Sequence, residues 1–190
     1  MTTLLFTAAL SLLGSHDLGS GAFQGGLLAR QEAPEYSTQQ EKKEQHRFIP
    51  ERVFQLDKLQ RVTCTVGENK FKLWVMDSSS KRNEGMMHLK KEDFKDNEGM
   101  IFVFSNEGDI LRRFWMRNTL VDLDIGYCDK DGTINSTYTM KALDETTDYS
   151  SKRLSMYVIE LRDGTLKKLK ITEGMKFVIP EDVVSKDDQG

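Results

Sequence analysis

The sequence predicts a mainly β protein: a single β-sandwich or jelly-roll-like domain with one or two short helices. Three observations carry that expectation. Short apolar runs recur at close intervals from Arg61 to Ile179. Turn-forming glycines separate them, notably Gly67, Gly132 and Gly164. No long stretch repeats apolar residues at helical spacing, so sheets rather than packed helices must bury the apolar side chains.

Arg61–Val66 alternates like a half-buried strand, Gly67-Glu68-Asn69 turns the chain, and Phe71–Met76 alternates again, predicting a hairpin. Asp77 followed by three serines predicts a helix N-cap, with a short helix to Glu84 that Gly85 stops. Met100–Phe104, Leu111–Met116 and Leu123–Cys128 are nearly continuous apolar runs, the pattern of strands buried on both faces. Asp129-Lys130-Asp131-Gly132 turns into a strand over Thr133–Met140. A further strand is expected over Leu154–Leu161, one helical turn over Lys167–Ile171, and a last strand over Met175–Ile179, stopped by Pro180.

These elements place the folded unit at residues 59–181. Residues 1–58 read as a signal-like segment and a flexible tether, and residues 182–190 as a polar tail. The stretch Leu4–Leu13 has the length of a secretory signal core, which predicts an extracytoplasmic protein, or one tethered to a membrane by an uncleaved N-terminus. No run reaches the ~18 apolar residues of a membrane span. The composition is 38% hydrophobic and 30% charged, ample for a core; 27 basic against 30 acidic residues give a net charge of −3. That balance speaks against nucleic acid as a partner.

The series Glu84-Gly85-Met86-Met87, Glu98–Phe104, Phe114-Trp115-Met116-Arg117-Asn118-Thr119, Leu123-Asp124-Ile125 and Tyr157–Leu161, with Gly164 and Gly174, resembles the domain-of-unknown-function family 192. The resemblance runs from about Val62 to Pro180, and the Phe-Trp-Met-x-Asn-Thr stretch followed by Leu123-Asp124 is its specific part. It implies a β-rich, jelly-roll-like fold and no known activity. The family usually has arginine where this chain has Glu84, and a second basic residue where His88 and Leu89 stand, with Lys90 just beyond. The placement of Leu123-Asp124 after the Asn118-Thr119 corner implies that Asp124 folds back towards that corner.

Asn118, Thr119, Asp124 and Glu160 are polar residues embedded in apolar strands. Burying such groups costs several kcal/mol unless they are hydrogen-bonded, so they serve either structure or a site. One reading is a structural network. A second is a pocket holding a polar ligand, with Trp115 as a stacking platform unless that ring fills the core. A third is acid–base hydrolysis of glycosidic or ester bonds by Asp124 and Glu160. No nucleophile elbow, P-loop, dinucleotide fingerprint or zinc-binding helix motif is present. His16 and His46 fall in the expected tether, so a histidine-based triad would rest on His88 alone.

Metal and cofactor signals are absent from the motif content. Met86-Met87-His88 is explained by core methionines, and Asp129-x-Asp131-Gly132 by a hairpin turn, because Met140 stands where a calcium loop needs its closing glutamate. Cys64 and Cys128 are either one disulfide or two buried thiols, with no neighbouring base to make them nucleophiles. Asn135-Ser136-Thr137 matches a glycosylation acceptor. The expected function is therefore an uncharacterised, extracytoplasmic β module that binds a small polar ligand or a partner protein. The alternatives are the hydrolase and a ligand-free structural or envelope-associated protein.

Overall fold

The computed structural model describes residues 46–105 and 111–187. The signal-like stretch Leu4–Leu13 and the tether up to residue 45 lie outside them. The chain order is β1 (Arg61–Val66), β2 (Asn69–Met76), α1 (Ser79–Glu84), β3 (Glu98–Val103), β4 (Arg113–Phe114) and β5 (Leu123–Cys128), followed by β6 (Ile134–Met140), β7 (Tyr149–Ser150), β8 (Tyr157–Arg162), α2 (Thr165–Lys168) and β9 (Phe177–Val178). Seven strands form one curled sheet in the order β6-β5-β8-β3-β2-β1-β9. All its neighbours are antiparallel except β2 and β3. Parallel neighbours require a crossover, and this one carries α1.

The mainly β domain with two short helices is the one the sequence predicts. Its second layer is smaller than a sandwich sheet: β4 and β7 pair as a two-stranded ribbon, and loops cover the rest. Side chains from the central strands alternate between two apolar clusters, one on each face. On the first face Trp74, Met100, Phe102, Ile125, Tyr127 and Val158 pack with loop residues such as Met86 and Met116. On the second face Leu73, Ile101, Ile159 and Leu161 pack with Leu166, Ile171 and Phe177. Burial on both sides explains why β3 and β5 read as unbroken apolar runs.

Two expected boundaries are corrected. Residues 46–58 are packed on the domain: Ile49 and Leu56 join the first-face core, and the His46 ring meets Trp74 edge-on at 5.2 Å. The run Leu111–Met116 shortens to the two residues of β4, because Met116 turns away from the strand and its amide bonds the carbonyl of Asp144. The helix cap also differs. Ser78 precedes α1, while Asp77 is buried and ion-paired with Lys81 (2.7 Å) and Lys186 (2.6 Å).

Cys64 and Cys128 are both buried free thiols. Asn135 is buried, and its side chain donates to Asp129 (2.6 Å) and the Ser155 hydroxyl (2.9 Å), so a glycan has no access to it in the folded domain. Asp129–Gly132 is a hairpin turn, closed by Gly132 N–H donating to the Asp129 carbonyl at 2.9 Å.

Candidate functional site

Glu160 sits in the middle of β8, opposite Met100 of β3 and Ile125 of β5. Side chains directly opposed across a ladder share a face, so its carboxyl rises among first-face apolar residues. Burial alone pushes that carboxyl up to about 8. No hydrogen bond to it is formed among the described residues. Gly99 lets β3 run close against the β8 backbone here, since a Cβ there would stand 2.1 Å from the main-chain carbonyl oxygen of Glu160.

Above Glu160 opens a cavity of about 300 Å3, at the small end of the roughly 300–1,000 Å3 of ligand sites. Its walls come from α1, β3, β4 and the loop after β4. Phe102 and Phe114 meet edge-to-face at 4.8 Å, and the same contact continues from Phe114 to Tyr127 at 5.9 Å. This row of rings seats the β4–β7 ribbon over the sheet and fixes one wall. Gly85 ends α1 at φ +45°, a conformation that L side chains rarely adopt, and a Cβ there would press on the Phe102 ring at 3.2 Å.

Guanidinium groups supply the charge. Arg82 and Arg112 lie 4.7 Å and 4.1 Å from the Phe104 ring centroid, both within cation–π range. Arg82 is ion-paired with Asp187 and donates to the carbonyl of Val103 at 2.8 Å. Glu84 also faces the cavity, but its oxygens are engaged by the amides of Val53 (2.6 Å) and Phe54 (3.0 Å) and by Arg52 (3.2 Å).

The sequence-predicted residues divide. Trp115, Thr119 and Glu160 line the cavity. Trp115 is a half-exposed rim residue rather than a core one, with Arg117 5.6 Å above its ring. Thr119 is buried. Asn118 is exposed, and its contribution is its backbone: φ is +53°, which asparagine tolerates, and its carbonyl accepts the His88 amide at 2.9 Å.

Asp124 lies on the other face. It opposes Leu161, not Glu160, and accepts the Thr139 hydroxyl (2.7 Å) and the Leu166 amide (2.9 Å). Asp124 therefore ties α2 to the sheet instead of folding back towards the Asn118-Thr119 corner, and the Asp124–Glu160 pair that the hydrolase alternative requires does not form. Sequence reading missed Arg82, Arg112 and Phe114. The first looks like a solvated helix residue, and the others fall in a run that reads as a buried strand.

A second depression, about 530 Å3, is lined in part by Lys70, Asp96, Arg162 and Lys168. Its charges answer one another, with Arg162 and Lys168 at 3.4 and 3.7 Å from Asp96. Among the described residues no group of three or more His, Cys, Asp or Glu could hold a metal ion, and no helix is long and apolar enough to cross a membrane.

The model of the DUF192 family, described as "Uncharacterized ACR, COG1430", matches residues 62–179. The chain belongs to the DUF192 family. Two solved structures are similar to this DUF192 chain. One is a protein of unknown function from Novosphingobium aromaticivorans DSM 12444, 26% identical, covering 67% of this chain and 91% of its own, with a TM-score of 0.59. The other, from Sinorhizobium meliloti 1021, is described as a candidate transcription regulator; it is 23% identical, covers 63% of this chain and 94% of its own, and has a TM-score of 0.58. The likeness to the second concerns the fold alone. No curated protein matches the chain. Cavity residues Glu84–Met87, Phe102, Phe114, Trp115, Thr119 and Glu160 all fall within the DUF192 match.

Proposed function

We propose that this DUF192 protein is a binding module that holds a small polar ligand in the cavity over Glu160. One observation carries the reading: a carboxyl on a residue only 4% exposed, with no hydrogen-bonding partner among the described residues, stands at the foot of a ligand-sized cavity. Leaving a buried polar group unmatched costs about 1–3 kcal/mol, a cost that a bound polar group would remove. A perturbed titratable group in a cleft is what a functional site looks like physically.

The geometry does not favour the hydrolase reading. Two-carboxylate chemistry needs a second carboxyl about 5–9.5 Å away in the same cleft, the two flanking the scissile bond. Asp124 is on the far face of the sheet, and Glu84 is spent on the Val53 and Phe54 amides. A partner-protein reading draws on Trp115, Leu120 and Leu143. They are 54%, 44% and 58% exposed, on loops joined by the Leu143 N–H donating to the Thr119 carbonyl at 3.0 Å.

The deciding experiment purifies the full chain, denatures it and identifies released small molecules by mass spectrometry, with Glu160→Leu as the control. The expected result is a compound retained by the native sequence and lost from the variant. Equal retention by both would move the site elsewhere. No retained compound, with a protein partner engaged through Trp115, would favour the second reading. We further propose that the protein works outside the cytoplasm, on the strength of the Leu4–Leu13 stretch. Recovery of the native chain in the cytoplasmic fraction alone would overturn this.

A further inference from the structure

Among the described residues, the charges around the cavity do not cancel. This inference rests on the binding reading above. Glu84 is taken by Arg52 and two amides, Arg82 by Asp187, and Arg113 by Asp148 at 3.1 Å. Arg112 is different. Its Nε donates to the Ser155 carbonyl at 3.1 Å and its plane lies on Phe104, but no carboxylate among the described residues pairs with it. Its terminal nitrogens are left without a hydrogen bond among those residues. Burial and the nearby Arg82 charge both press on the Arg112 cation and lower its proton affinity, a stress that an anion would relieve. The other unmatched group, Glu160, does not reach Arg112 in a salt bridge. The cavity thus has two separate polar stations, with the rings of Phe102, Phe104 and Phe114 among its walls.

We propose that the cavity takes a small carboxylic acid with an apolar body, its carboxylate forked onto Arg112 and its far end against the Glu160 carboxyl. A planar carboxylate matches the guanidinium fork with two parallel hydrogen bonds. One uncompensated cation suits one negative charge better than a phosphate monoester, which carries about −1.5 to −2 at neutral pH. The aromatic walls suit the body of the acid. An ammonium ligand would meet Arg112 with the wrong sign.

The test is calorimetric titration of the full chain, freed of retained ligand, with benzoate, 4-hydroxybenzoate, benzamide, benzylammonium and phenyl phosphate. At least one of the two acids should bind at least tenfold more tightly than the amide, the amine and the phosphate. Arg112→Gln should weaken that acid at least tenfold. Should Arg112→Gln fail to fold, Arg112→Lys keeps the charge and loses the fork, and should weaken it several-fold. Binding of neither acid, equal binding of the amide or amine, tighter binding of the phosphate, or indifference to the Arg112 variants would overturn the proposal. A neutral or basic compound released from the native chain would remove the acid assignment and leave the cavity a binding site. Neither a released compound nor any binding probe would remove both.

Discussion

Asp124 and Glu160 stand on paired strands, one residue out of register, and their carboxyls leave the sheet on opposite faces. The first is satisfied by two hydrogen bonds and the second by none among the described residues. Two carboxylates that look equivalent in sequence therefore have unlike roles, one holding α2 and the other facing a cavity.

Asp124→Ala should destabilise the domain by ~1–3 kcal/mol, because the buried Leu166 amide and the Thr139 hydroxyl both lose an acceptor, whereas asparagine could still accept the amide and donate to the hydroxyl. Ligand retention should be unchanged. Asp122→Asn is the control. Asp122 accepts the Ala142 amide at 2.8 Å and pairs with Lys141 at 2.7 Å, but it is more exposed, and asparagine can still accept that amide. Its effect should stay within about 0.5 kcal/mol. Denaturant melts separate the two, and equal effects would refute the role given to Asp124.

Glu160 predicts a pH dependence of stability. Its ordinary value is 4.5, and burial raises it to about 8 in the folded chain. Between those values the folded state keeps a proton that the unfolded state has lost, so stability falls as pH rises through the window. Below about 4.5 this group contributes no slope, and above about 8 none remains. Glu160→Gln should flatten this part of the profile and stabilise the ligand-free protein at pH 8, on the order of 4 kcal/mol. Parallel profiles for the two proteins would show that Glu160 is not held protonated.

Strand positions were legible because alternation and turn chemistry are local. Arg61–Val66 and Leu123–Cys128 form as the pattern predicts. The candidate site was legible only in part, because a cavity is made by residues far apart in sequence. Glu160 and Thr119 stand out as polar residues in apolar runs, whereas Arg112 becomes notable only once its ion partners can be counted. The face that Asp124 occupies depended on register with β8, which no single strand encodes. The packed segment 46–58 escaped notice for a similar reason: it is held by Arg52 and scattered apolar contacts, without periodicity of its own.

Cys64 and Cys128 should be inert in the native protein. Burial pushes the Cys64 thiol up to about 12 and the Cys128 thiol higher still, so neither carries appreciable thiolate at pH 8. A thiol reagent should label both cysteines in denaturant and neither in the native chain on the same time scale. Fast native labelling of either would contradict their burial.

The boundary of the folded unit gives the last prediction. The Arg52 side chain is fully buried, donates to the carbonyls of Gly85 (2.8 Å) and Met87 (2.6 Å), and pairs with Glu84, which in turn holds the Val53 and Phe54 amides. Ile49 adds an apolar side chain that is 2% exposed. Breaking a buried pair from one side leaves its partner uncompensated and costs about 3–5 kcal/mol. A chain beginning at Phe54 loses Arg52 and Ile49 together and strips Glu84 of its guanidinium and Val53 partners. It should melt well below the full chain, or without cooperativity, whereas a chain beginning at Lys42 should melt within a few degrees of it. Arg52→Met isolates the charge: it should destabilise by about 3 kcal/mol, and Glu84→Gln added to it should recover part of that loss, because the stranded carboxylate is gone. If the chain starting at Phe54 melts like the full one, residues 46–53 are a tether after all, and the Arg52 bonds contribute nothing to the fold.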